Sequence, residues 1–184
     1  MTKVFVGGSR SISHLTNDVQ HRLDHIIQQN MLVLLGDANG ADKAVQKFLC
    51  DRHYQSVLVF CMEQQCRNNL GNWPLRLIEN AGHKKGYAYY VLKDEAMARE
   101  ADYGFMLWDG KSKGTLNNVI NLLRETKKVL VYLAPDKRFC ALTQLNELDE
   151  LLTQCDQTLR QFFATKLTAV QPIHHAQPSF ELGK

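Results

Sequence analysis

The sequence predicts an α/β chain of the Rossmann-like, doubly wound type: a mainly parallel sheet of about five strands, followed by a C-terminal helical appendage. Three observations carry this expectation. Short apolar runs alternate with stretches whose apolar residues recur at helical spacing, three of the runs stop at glycine loops, and 184 residues suit one domain with a sizeable core. Wholly apolar strands point to a sheet covered on both faces, because right-handed crossovers lay helices there.

Residues 3–6 are β-branched and aromatic apart from Lys3 and run into Gly7 and Gly8, which predicts a buried strand ending at a tight turn. Val19, Leu23, Ile26 and Ile27 then recur at helical spacing within 16–30, with Thr16, Asn17 and Asp18 suited to the entry turn. The second apolar run, 31–35, is broken by Gly36-Asp37-Ala38-Asn39-Gly40 before Ala41, Ala44, Val45, Phe48 and Leu49 resume the helical period. Residues 57–61 supply a third strand. Periodicity then fades across 62–86, which contains Trp73-Pro74, Gly82 and Gly86 and reads as an irregular excursion.

Tyr87, Tyr90, Val91, Met97, Ala98 and Ala101 share one helical stripe, whose start falls at 87 or as late as Asp94. A strand at 103–108, a turn at 109–113, a helix at 115–125 and a fifth strand at 128–133 complete the alternation. After Pro135 the stripe Leu142, Leu145, Leu148, Leu152, Cys155, Leu159 and Phe162 outlines one long amphipathic helix. The chain therefore divides into a Rossmann-like unit, 1–135, and a helical extension with a tail, 136–184. Because the five-strand unit looks complete without it, the extension is expected to pack against a second copy in a homodimer.

The net charge of +3, from 22 Lys+Arg against 19 Asp+Glu, is small and scattered, which argues against nucleic acid as a partner. No apolar run approaches a membrane span and no signal core follows Met1, so a cytoplasmic protein is expected. The five cysteines form no C-x-x-C pair and read as reduced thiols. His174 and His175 lack a partner at ligand spacing, so no metal is expected, and no cofactor is implied.

Chemistry concentrates in the three loops at strand ends, which this fold brings to one edge. Gly8-Ser9-Arg10, Gly36 with Asn39 and Gly40, and Gly110 with Ser112, Gly114 and Thr115 combine glycines that admit a close ligand with hydroxyls and helix-opening N–H groups that favour an anion. Lys93 and Asp94 join them as ligand contacts. Core packing is the simpler reading of Tyr87 and Tyr90, whereas Trp73 suits a lid or rim and Lys84-Lys85 a solvated pair.

Gly8-Ser9-Arg10, Gly36-x-x-x-Gly40-Ala41-Asp42, Lys93-Asp94-x-x-Met97, Ala101-Asp102 and Trp108-Asp109-Gly110-x-Ser112-x-Gly114-Thr115 occur in an order that resembles the SLOG superfamily, which takes in the DprA and Lonely-guy proteins. The pattern is most similar to that superfamily's small stand-alone bacterial branch and spans residues 3–133. The resemblance implies a Rossmann-like fold that binds nucleotides or nucleotide-derived ligands. Departures are Asp37 for a glycine, Asn39 for an arginine, and Lys93-Asp94 for Arg-Asn. The hydrolase members' arginine and glutamate correspond to Lys93 and Asn118, and an amide cannot act as the carboxylate would.

The expected function is therefore binding of a nucleotide or nucleotide-derived phosphorylated ligand, as sensor or carrier. An N-glycosidase or ribosyl-transfer enzyme using Asp94 or Asp109 is the alternative, and DprA-like DNA binding the third.

Overall fold

The computed structural model describes residues 1–63, 65–80, 82–153 and 155–168. Its elements run β1 (Lys3–Gly8), α1 (Asn17–Gln28), β2 (Leu32–Leu35), α2 (Ala41–Asp51), β3 (Val57–Met62), β4 (Leu75–Ile78), α3 (Tyr87–Glu100), β5 (Tyr103–Trp108), α4 (Lys113–Arg124), β6 (Lys128–Leu133) and β7 (Arg138–Leu142). A 3₁₀ turn (Leu145–Glu147), α5 (Leu148–Thr153) and α6 (Gln157–Thr168) follow. The strands form one sheet in the order β4-β3-β2-β1-β5-β6-β7. All pairs are parallel except β6 with β7.

Side chains along each central strand alternate between two cores, as the pleat requires. Val4, Val6, Val33 and Leu35 pack with Val19 and Leu23 of α1 and Val45 and Leu49 of α2. Phe5, Leu34 and Met106 join Met97 of α3 and Leu116 and Ile120 of α4 on the other face. Three helices end the same way, with Asn30, His53 and Thr126 in the left-handed region at φ 51, 54 and 57. In each case the next residue's N–H reaches back to the last turn, as Met31 does to Ile26 O, Tyr54 to Leu49 O and Lys127 to Leu122 O.

The sheet has seven strands rather than five. β4 lies in the supposed excursion; it is a four-residue edge strand in which Leu75 and Leu77 are about half exposed, so neither a buried run nor a clean alternation marks it. β7 replaces the start of the expected long helix. Ala134-Pro135-Asp136-Lys137 turns the chain, with Lys137 at φ 50, and residues 138–142 pair antiparallel with β6.

The remaining stripe is divided between a 3₁₀ turn and two helices. Leu148, Leu151, Cys155, Leu159 and Phe163 are buried in the core that contains Met97 and Trp108. These residues are covered by their own chain, which removes the observation on which the expected homodimer rested. Among the described residues, no helix is long and apolar enough to cross a membrane. His174 and His175 lie outside the described residues.

Candidate functional site

After β1 the chain builds the sheet outward through β4, then returns through α3 to place β5 on the other side of β1. That reversal opens a crevice at the carboxyl ends of β1 and β5. A cavity of about 490 Å³ occupies it, within the range of small-ligand sites.

One wall is the α4 entry. Of the residues read from the sequence, Gly8, Arg10, Ser112, Gly114 and Thr115 line the cavity, together with Ser11 and Lys113. Ser112 caps α4, its Oγ accepting from Thr115 N at 3.3 Å. Ser9 is fully buried behind this wall and donates to Asp109 Oδ1 at 2.9 Å.

Asp109 is the organiser of the loop: its Oδ1 also accepts from Lys111 N at 3.0 Å and Ser112 N at 2.8 Å, and its Oδ2 accepts from Ser11. Burial raises its pKa, but these donors, Ser11 first, outweigh burial and hold its carboxyl below the usual range. Gly110, at φ 78, turns the loop without lining the cavity.

The opposite wall is a charged cluster. Lys93, 3% exposed, lies 3.2 Å from Asp94 Oδ1 and 3.8 Å from Asp37 Oδ1. Burial opposes its charge, yet Asp94, Asp42 and Asp37 together raise its affinity for the proton. Asp42 also lines the cavity, and burial pushes its carboxyl up to about 6 against the pull of Lys93. Gly36 lies beneath them, where a Cβ would collide with the Asp42 carboxylate and the Lys93 ammonium. Gly40, at φ 82, opens α2 against the backbone of Arg10, and Asn39 accepts from Asn68 Nδ2 at 3.1 Å. Neither Gly36, Asn39 nor Gly40 lines the cavity.

Asp37, the departure from the glycine pattern, is almost completely buried and accepts from Arg67 Nε at 3.0 Å and Nη2 at 2.6 Å. Burial raises its pKa, but Arg67 and Lys93 outweigh burial and leave it lowered. Arg67 in turn lies 4.8 Å from the centre of the Tyr90 ring, with Arg10 at 5.7 Å from the same ring. Asn118, with its amide oriented to satisfy both neighbours, donates to Gly114 O at 3.3 Å and Asp94 Oδ2 at 3.2 Å.

Three sequence readings change here. Tyr87 and Tyr90 are cavity-lining, and Tyr87, its hydroxyl pushed up to about 12 by burial and the Asp94 charge, is half exposed. Trp73 is no lid: it is buried with Nε1 donating to Tyr54 O at 2.8 Å. Cys61 and Cys66 are joined as a disulfide, while Cys50, Cys140 and Cys155 stand outside it as thiols. Asp37 lies close to both sulfurs, but its oxygens are taken by Arg67 and the sulfurs are bonded to each other, so this trio offers a cation no ready donor set.

No family model and no curated protein matches the chain. Among solved structures it is similar to DNA processing protein A from Helicobacter pylori, described for its single-stranded DNA binding mode, with a TM-score of 0.53 at 14% identity over 92% of this chain and 82% of that chain. At that identity the likeness establishes a DprA-like, Rossmann-like fold. It also overturns the exclusion of nucleic acid: modest net charge cannot rule that partner out when a protein of this fold is described by how it binds single-stranded DNA.

Proposed function

We propose that the crevice binds a nucleotide or nucleotide-derived phosphorylated ligand, as a sensor or carrier. The observation that carries this reading is the α4 entry, where Ser112, Gly114 and Thr115 open a twelve-residue helix into the cavity beside Arg10. A helix N-terminus favours an anion, and Arg10 makes no hydrogen bond or ion pair among the described residues. Tyr87 and Tyr90 supply aromatic faces for a base.

The motif resemblance to the stand-alone SLOG proteins supports the same reading, with a cytoplasmic site of action. Asn118 occupies the position of the hydrolases' glutamate, and both Asp94 and Asp109 are held by internal hydrogen bonds, which favours binding without release of the base. Calorimetry against the nucleoside 5′-monophosphates, with chromatography for free base, tests this. Saturable binding of an intact nucleotide is expected; rapid release of base would make the protein a glycosidase.

A second reading, single-stranded DNA binding through the same crevice, is favoured by the DprA-like fold. Oligodeoxynucleotide affinity that falls steeply with salt, in the absence of mononucleotide binding, would establish it instead.

A further inference from the structure

We infer that the Cys61–Cys66 pair is a thiol–disulfide exchange site through which a dithiol reductant controls the ligand crevice, acting by way of Arg67. The inference rests on the nucleotide reading above.

The bond joins the end of β3 to the residue immediately before Arg67 across a sequence separation of 5. It therefore pins the chain one residue from the cavity wall. Arg67 depends on that position along its whole length: its backbone N donates to Asp37 Oδ2 at 3.1 Å, its guanidinium clasps the same carboxylate, and its far side covers Tyr90. Asn68 extends the contact by donating to Asp37 O at 2.7 Å. Arg67 itself lines the cavity.

The two sulfurs differ in access. Cys61, within β3, is fully buried, whereas Cys66 is only partly buried. A dithiol's thiolate is thus directed to Cys66 Sγ: a sulfur–sulfur bond forms there, the Cys61–Cys66 bond breaks, and Cys61 leaves and takes a proton. The reductant's second thiol then attacks the mixed disulfide, releasing Cys66 as a thiol and the reductant as its own cyclic disulfide. Two electrons and two protons pass to the protein. In reducing compartments such pairs are characteristically transient and redox-sensing.

Once the bond opens, the segment carrying Arg67 regains chain entropy that its contacts with Asp37 and Tyr90 must oppose alone. Each departure of Arg67 withdraws a cation from the wall and leaves the Asp37 carboxylate with Lys93 at 3.8 Å as its remaining ion pair. Both changes disfavour an anionic ligand.

The test uses the full chain before and after treatment with dithiothreitol. Thiol titration of the denatured, alkylation-controlled protein should find three thiols before and all five after. Amide hydrogen exchange at Arg67 should quicken about tenfold on reduction, and affinity for AMP, GMP, CMP or UMP should fall by about as much, the scale of constraint expected of a short disulfide loop. Cys66→Ser should match the reduced protein and ignore dithiothreitol.

Five titratable thiols before reduction, or unchanged exchange and affinity after it, would overturn the inference. Faster exchange at unchanged affinity would overturn control of the crevice while leaving nucleotide binding intact. Binding of no mononucleotide in either state would remove the nucleotide reading and the control built on it.

Discussion

The two walls of the crevice are made from opposite materials. On the α3 side, Asp37, Asp42 and Asp94 surround Lys93 and Arg67, so charge meets charge inside the protein. On the α4 side a single carboxylate, Asp109, gathers backbone N–H groups and serine hydroxyls into a loop whose helix entry faces the cavity. The first wall is held together by its own ions and tolerates little loss. The second presents the N-terminus of α4 to the cavity.

The largest effect should come from breaking the ionic wall. Lys93→Met leaves three carboxylates around a buried site and should cost about 3–5 kcal/mol in urea denaturation, the usual penalty for removing one partner of a buried ion pair. A loss below 1 kcal/mol would show that the cluster is solvated rather than internally compensated.

Asp42 sharpens the same contrast through pH. Its folded pKa of about 6 lies above the ordinary 3.8, so the folded protein holds this proton more tightly than the unfolded chain. The stabilisation it brings is complete below pH 4 and is lost as pH rises to 6, whereas Asp37 and Asp109, with lowered values, contribute in the opposite direction. Relative to wild type, Asp42→Asn should therefore gain stability between pH 4 and 6, by on the order of 2–3 kcal/mol, and run parallel above. Parallel profiles throughout would mean that Asp42 ionises normally.

The α4 wall should separate ligand from fold. A Cβ at Gly114 meets nothing nearer than Ser112 Oγ at 4.0 Å, so Gly114→Val projects into the cavity rather than into protein. Nucleotide affinity should fall at least about tenfold, roughly 1.4 kcal/mol, with a much smaller change in melting temperature. Undiminished affinity by calorimetry would take this loop out of the site. Smallest of all, Ser112→Ala removes the cap of α4 and should cost about 1 kcal/mol in the same denaturation assay.

What the sequence revealed follows the same division. The α4 wall was legible because its parts are contiguous: glycine, hydroxyl and helix start are read in one stretch. The α3 wall was not, because Arg67 comes from an aperiodic segment and meets Asp37 thirty residues away in the chain. Tyr90 shares a stripe with the buried Met97 and Ala98, so periodicity alone assigned it to the core, although it stands about two turns nearer the start of the helix, where it lines the cavity.

The five inner strands announced themselves as apolar runs, while β4 is exposed at the sheet edge. β7 carries Arg138 and a half-exposed face, and its leucine fell by chance into register with the helical stripe behind it. The cysteine pair was hidden for a simpler reason. A separation of five matches no standard spacing, and only the return of the chain past the end of β3 brings the sulfurs together.

The indole of Trp108 has a use outside the fold. It is buried at the end of β5 and donates from Nε1 to Ser112 O at 3.1 Å, so the chromophore is wired to the loop that opens the α4 wall. The chain's second tryptophan, Trp73, reports from the other core. Intrinsic fluorescence thus carries one optical channel for the α4 entry and one for the scaffold, and replacing Trp73 by phenylalanine would leave the first channel readable on its own.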